Sequence, residues 1–170
     1  PLLSLSGIEV TPNDLGLNAD RRVLVLTGPN TGGKTVALKT VGLCTLMAMA
    51  GLHIPADHGS SVALVPSVFT DIGDDQSLED SLSTFSGHVM NLRRIFDSMS
   101  PGSLVLLDEL VVGTDPIQGA ALAQAILESL ADRDALVVVT THYENLKVLP
   151  FQDPRFRNGA MGFDPDNGQP

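Results

Sequence analysis

Gly28-Pro29-Asn30-Thr31-Gly32-Gly33-Lys34-Thr35 fits the spacing G-x-x-x-x-G-K-[ST]. The chemistry of that spacing is polyphosphate binding. Glycines allow successive backbone N–H groups to turn inward onto phosphate oxygens, and the positive end of a following helix adds to the attraction. The Lys34 ammonium would reach the β- and γ-phosphates, and the Thr35 hydroxyl would bind Mg²⁺. Val36, next in the chain, completes the set expected to touch a nucleotide. A second group, Asp108-Glu109, follows the apolar run Leu104 to Leu107. Asp108 can hold Mg²⁺ through a water, and Glu109 is then placed to polarise an attacking water. A third, Thr140-Thr141-His142, closes another apolar run, and His142 could donate to a γ-phosphate oxygen or to that water. The expected catalytic groups are therefore Lys34, Glu109 and His142, with Thr35 and Asp108 on the metal.

These residues act together only if the fold brings them to one edge. Val23 to Leu26, Leu104 to Leu107 and Ala135 to Val139 are continuous apolar runs, as expected of strands buried on both faces. Gly33 to Ala50 consists of helix formers and is apolar nearly all round, which predicts a central helix packed on a sheet and ended by Gly51 and Pro55. Phe85, Val89, Leu92, Phe96 and Met99 recur at three-to-four spacing and predict an amphipathic helix stopped by Ser100-Pro101-Gly102. Asp115 is an expected N-cap, with Pro116 at the first helical position and Gln118 three residues after the cap, for a helix running to about Ala131. Strands alternating with helices indicate an α/β domain with a mostly parallel sheet flanked by helices. In such sheets ligands gather at the carboxyl ends of the strands, where Thr27, Asp108 and His142 are expected. The flanks, Pro1 to Asp20 and Asn158 onward, could add edge strands.

Composition narrows the partners. The chain has 170 residues, 10 Lys and Arg against 20 Asp and Glu, a formal charge of −10 and 43% hydrophobic residues. That describes one globular domain over 1–170, large enough to hold a core without disulfides. The net charge argues against gripping nucleic acid or an anionic membrane unaided. Cys44 is the single cysteine, and His53, His58 and His88 show no metal-ligand spacing. No run is long enough to cross a bilayer, and the compartment is expected to be the cytoplasm. A start at Pro1 and a loop-like end at Gln169-Pro170 suggest a piece of something longer.

An Asn-Lys-x-Asp guanine-reading segment and a Leu-Ser-Gly-Gly-Gln signature are both missing from the sequence. Taken with Asp71-Ile72-Gly73, Ser83-Thr84-Phe85, Leu107-Asp108-Glu109-Leu110, Gly113-Thr114-Asp115-Pro116 and Thr140-Thr141-His142-Tyr143, the phosphate loop resembles the ATPase domain of the MutS family, with a core of about 21–149. Gly51-Leu52-His53-Ile54-Pro55-Ala56, Thr31 and Gly119-Ala120-Ala121-Leu122-Ala123 look like that family's second bacterial branch. The resemblance implies a P-loop NTPase of the ABC/MutS type that uses ATP and Mg²⁺. It also implies a homodimer in which each P-loop faces the partner's Ser83 and Thr84, which touch the γ-phosphate in trans from the start of a helix. Val10, Thr11 and Pro12 match the family's adenine seat. The branch is linked to suppression of recombination and carries a C-terminal Smr nuclease domain, with DNA bound through other domains. A nucleotide-dependent dimerisation switch, or an ATPase acting on ribosomes or RNA, shares every motif.

One departure from the family pattern is Leu110-Val111-Val112-Gly113, where a small, Gly-containing pair usually stands. Two β-branched residues resist positive φ. The expectation is a reshaped loop that weakens pairing or coupling between sites while Asp108 and Glu109 remain usable.

Overall fold

The computed structural model describes residues 5–7, 10–73, 81–111 and 115–162, and for Asn30 and residues 81–85 the backbone alone. Five strands, β1 (Val23–Thr27), β2 (Val68–Asp71), β3 (Leu104–Leu107), β4 (Leu136–Thr140) and β5 (Phe156–Ala160), form one sheet in the order β2-β3-β4-β1-β5. Every neighbouring pair is parallel. The helices are α1 (Lys34–Met49), α2 (Ser81–Ser98), α3 (Pro116–Asp132) and the short α4 (Leu149–Gln152).

The pleat sorts each apolar run onto two faces. Val23, Val25, Val105, Leu107, Val137 and Val139 pack with Leu92 and Ile95 of α2 and with Ala123, Leu127 and Leu130 of α3. On the other face Leu24, Leu26, Leu104, Leu106 and Val138 meet Ala37 and Leu38 of α1, together with Val65. The three inner strands are covered on both sides, which is why they read as unbroken apolar runs rather than as alternations. The α/β class with a parallel sheet and flanking helices stands as expected.

The edge strands are where the sequence reading falls short. β2 is only half-buried, and β5, Phe156-Arg157-Asn158-Gly159-Ala160, carries exposed polar residues in a strand with one neighbour. Neither has the apolar run that marks a central strand. The tail strand foreseen from Asn158 onward begins two residues earlier, while the described stretch 10–20 contributes no strand. α1 is also less buried than expected. It lays Ala37, Leu38, Gly42 and Thr45 against the sheet, whereas Val36, Leu43, Leu46 and Met49 are exposed. Gly42 permits this close approach, because a Cβ there would lie 2.6 Å from Leu106 Cδ1. A helix apolar nearly all round thus lays one face on this sheet and leaves other apolar residues exposed among the described residues.

At the end of the sheet away from the strand C-termini, Arg155 donates to Asp153 and Asp132. The Arg155 hydrogen bonds hold the Asp153 carboxyl below its ordinary value of 3.8, against a smaller opposing effect of burial. A carboxyl lowered in the folded state contributes stability that is present above its unfolded pKa and lost as pH falls through the folded value. Replacing Arg155 with Met is expected to cost about 1 kcal/mol or less near pH 7, this being a part-exposed pair, and nearly nothing at pH 2. Urea unfolding at the two pH values measures the difference, and an equal loss at both would exclude an ionic origin.

Candidate nucleotide-binding site

The order β3-β4-β1 places three strand C-termini side by side, so the phosphate loop, Asp108-Glu109 and Thr141-His142 meet on one edge. The loop after β1 is shaped by its glycines. Gly28 has φ +136, and Gly33, with φ +79, precedes the first residue of α1. Asn30–Gly32 forms a 3₁₀ turn closed by Gly32 N–H on Pro29 O at 3.0 Å. The first turn of α1 carries no acidic residue, which leaves its positive end open to an anion. Lys34 is buried and folds back under the loop, its Nζ donating to Gly28 O at 2.8 Å and Pro29 O at 3.0 Å. The ammonium is therefore held beneath the loop, where a phosphate would take over part of its hydrogen bonding.

The segment after β5 abuts this loop. Met161 N–H donates to Thr27 O at 2.9 Å, and a Cβ on Gly28 would stand 2.7 Å from Met161 O. A Cβ on Gly32 would approach Gly162 O and Met161 Cβ at 3.4 Å. The motif gives these glycines a role toward phosphate, but Gly28 is also required by the chain that follows β5, whereas a Cβ at Gly32 would only touch it. Nothing in a linear motif signals that second demand.

Across the edge a continuous hydrogen-bonded chain links the remaining candidates. Thr35 Oγ1 donates to Asp108 Oδ1 at 3.2 Å, and the same oxygen accepts from Thr140 Oγ1 at 2.5 Å. Thr140 Oγ1 in turn accepts the Glu109 N–H at 2.9 Å. An ionised Glu109 can only accept, so in its 2.7 Å contact with His142 the imidazole Nε2 carries the proton. His142 thus meets the carboxylate of Glu109, a partner the sequence reading, which gave it a γ-phosphate oxygen or the attacking water, did not name. The Asp108 and Thr35 oxygens form a pair of hard donors of the kind Mg²⁺ accepts, so these side chains fit that ion.

Thr140 is the residue whose part in the site the motifs did not reveal. The available signal was a hydroxyl at the end of an apolar strand, since a buried hydroxyl must find partners. Asp71 is similar. Its backbone carbonyl accepts Asp108 N–H at 2.9 Å, while its side chain accepts from Asn91 Nδ2 and meets His88 Nδ1, both at 2.8 Å. β2 is thereby tied both to the Asp108 turn and to α2. That helix begins at Ser81, so Ser83 and Thr84 lie within its first turn rather than ahead of a helix starting at Phe85. Val10, Thr11 and Pro12 are exposed, in the chain that leads to Leu15 and Leu17 on the sheet.

The turn after Asp108 corrects one expectation. Val111 does not avoid the left-handed region but occupies it, with φ +64, and Glu109 has φ +52. A conformation that costs about 1–3 kcal/mol at a non-glycine residue survives because its surroundings over-determine it. Leu110 and Val111 are buried in the core, and Tyr143 OH donates to Val111 O at 2.6 Å. Val112, Gly113 and Thr114 lie outside the described residues. Asp115 caps α3 as foreseen, accepting from Ile117 N–H and Gln118 N–H at 3.1 Å.

The profile of the family described as MutS domain V matches residues 24–169. The chain belongs to the MutS family, as its domain V. It is 55% identical over 162 residues to the endonuclease MutS2 of Symbiobacterium thermophilum, covering 95% of this chain and 20% of that protein. The MutS2 of Pelotomaculum thermopropionicum is 57% identical over 156 residues, with coverages of 92% and 20%. The protein of Bacillus subtilis named putative endonuclease MutS2 is 53% identical over 156 residues, again with 92% and 20%. The chain spans about one fifth of the length of these relatives. Their shared name agrees with the second branch of the family, to which the sequence motifs pointed. The parallel sheet with its phosphate loop is the ATPase fold of MutS domain V. Among the described residues no helix is long and apolar enough to cross a membrane.

Proposed function

We propose that this MutS domain V binds and hydrolyses ATP at the edge formed by β1, β3 and β4, and that two copies pair head to tail to complete each site. The observation that carries the reading is the unbroken chain Thr35–Asp108–Thr140–Glu109–His142 beside a glycine loop that covers Lys34. Backbone N–H groups from Gly28 to Val36 and the Lys34 ammonium take the phosphates. Thr35 and Asp108 are the residues that would hold Mg²⁺, whose charge screens the phosphate oxygens when it is bound. Glu109 orients water toward the γ-phosphate and accepts its proton. His142 keeps the Glu109 carboxylate aimed. Ser83 and Thr84, in the first turn of α2, reach the partner's γ-phosphate, and Val10, Thr11 and Pro12 seat the adenine.

In a MutS2-like protein of full length this module would drive a cytoplasmic DNA-binding machine that acts on recombination intermediates and suppresses recombination. The formal charge of −10 suits a division in which DNA is gripped elsewhere. The endonuclease activity in the relatives' name is likewise assigned to residues outside this chain.

ATP turnover followed against protein concentration, with Lys34→Ala as the blank and sedimentation with and without a non-hydrolysable ATP analogue, tests the proposal. A specific rate that rises with concentration, together with analogue-induced dimers, is expected. A rate independent of concentration would exclude the composite site, and one equal to Lys34→Ala would exclude hydrolysis.

A further inference from the structure

We propose that Tyr143 is a positioning residue for hydrolysis, holding the Asp108–Glu109 turn in its working shape through the carbonyl of Val111; the role rests on the ATPase reading above. The turn is pinned at both ends, by the last residue of β4 and by a residue just beyond that strand. At its entry the Glu109 N–H is bound by Thr140 Oγ1 at 2.9 Å, and at its exit Val111 O is bound by Tyr143 OH at 2.6 Å. Between them Leu110 is buried in the core. The two clamping residues flank Thr141 and His142, so one short stretch fixes the backbone of Glu109, meets its carboxylate and restrains Val111.

The clamp matters because of what stands at 111. A β-branched residue at φ +64 is driven back toward extended backbone by its own Cβ substituents. Asp108 cannot follow such a relaxation, since its backbone is bound to Asp71 O and its carboxylate to Thr35 and Thr140. Part of the displacement then falls on Leu110 and Glu109, straining the bond to Thr140 and shifting the carboxylate away from His142. Gly28 to Thr35 is untouched, so nucleotide binding is spared. Glycine adopts φ +64 unaided. The hydroxyl of Tyr143 thus does for Val111 what glycine would do without help.

The experiment measures kcat and the affinity for a non-hydrolysable ATP analogue in the wild type, Tyr143→Phe, Val111→Gly and the double variant, with thermal unfolding to confirm that each is folded. Tyr143→Phe is expected to lower kcat roughly tenfold or more, the scale at which a small misplacement of a catalytic group is felt, with analogue affinity unchanged. Val111→Gly should keep the wild-type rate, and the double variant should match Val111→Gly. A full rate in Tyr143→Phe, or a double variant as slow as Tyr143→Phe, would overturn the clamp while leaving the ATPase reading intact. A wild-type rate equal to that of Lys34→Ala would instead remove the ATPase reading and the catalytic role with it. Amide exchange of residues 108–111 in the nucleotide-free chain gives a readout that needs no turnover. It should quicken in Tyr143→Phe, and an unchanged rate would refute the clamp.

Discussion

Glu109→Gln is expected to reduce ATP turnover by a factor of about 10²–10⁴, the usual contribution of a positioned general base, while leaving nucleotide binding within about twofold. The asymmetry follows from where the carboxylate sits. In the proposed site the phosphates fall to the loop from Gly28 to Thr35, under which Lys34 is held, and the cation to the hydrogen-bonded pair Thr35 and Asp108, so Glu109 would carry neither task. Its side chain meets His142 Nε2 at 2.7 Å and its N–H is spent on Thr140. Glutamine keeps the volume and can still accept from Nε2 through its amide oxygen. It cannot take a proton from water. Turnover and analogue binding measured on the same preparation separate the two effects. A rate above one tenth of wild type would show that water is activated by another group, and a matching loss of affinity would place Glu109 among the binding residues. If two copies close on ATP as proposed, the variant should also accumulate as a dimer under ATP, because hydrolysis, the step that would reopen it, is blocked.

Gly28→Ala is the second large effect, and its origin is steric. At φ +136 an alanine is strained whatever the space around it, and here its Cβ would stand 2.7 Å from Met161 O. Neither side can give. Thr27 ends a central strand, and Met161 is bound to it by N–H on Thr27 O. Either the phosphate loop or the end of β5 must move. The expected cost is about 1–3 kcal/mol of stability, the range for a residue forced into a sparsely populated conformation. Analogue affinity should fall at least tenfold, equivalent to ~1.4 kcal/mol. Gly51→Ala is the matched control. Gly51 has φ +75 with nothing within 4 Å of a built Cβ, so it pays the backbone penalty without touching the site. Loss of stability in both variants with loss of affinity in Gly28→Ala alone is the expected pattern. Unchanged affinity in Gly28→Ala would mean that the loop conformation does not matter for nucleotide binding.

The placement of the candidate site was legible from sequence wherever local chemistry forced the residue choice. A glycine loop between an apolar strand and a helix, a carboxylate pair ending a second such strand and a histidine ending a third all stand at one sheet edge, as the parallel arrangement required. The central strands were readable because burial on both faces leaves no polar positions within them. β2 and β5 were not, because an edge strand with one neighbour can carry Arg157 and Asn158 at no cost, and its sequence then resembles a loop. α1 misled in the opposite direction. Its sequence records that it is apolar nearly all round, but only the packing shows which of those residues this sheet covers.

By itself the sequence determined the glycine loop, the acidic turn, the strand and helix alternation and the family, all of which depend on residues close together in the chain or on the periodicity of burial. The tertiary structure alone decided how the parts hold one another. Thr140 joining Asp108 to Glu109, Asp71 supporting the Asp108 turn, Met161 set against Gly28 and Tyr143 restraining Val111 connect residues 31, 32, 37 and 133 positions apart. Val111 shows why such links escape a linear reading. Its intrinsic preference argues against positive φ, yet a hydrogen bond from Tyr143 and burial in the core outweigh that preference at this one turn.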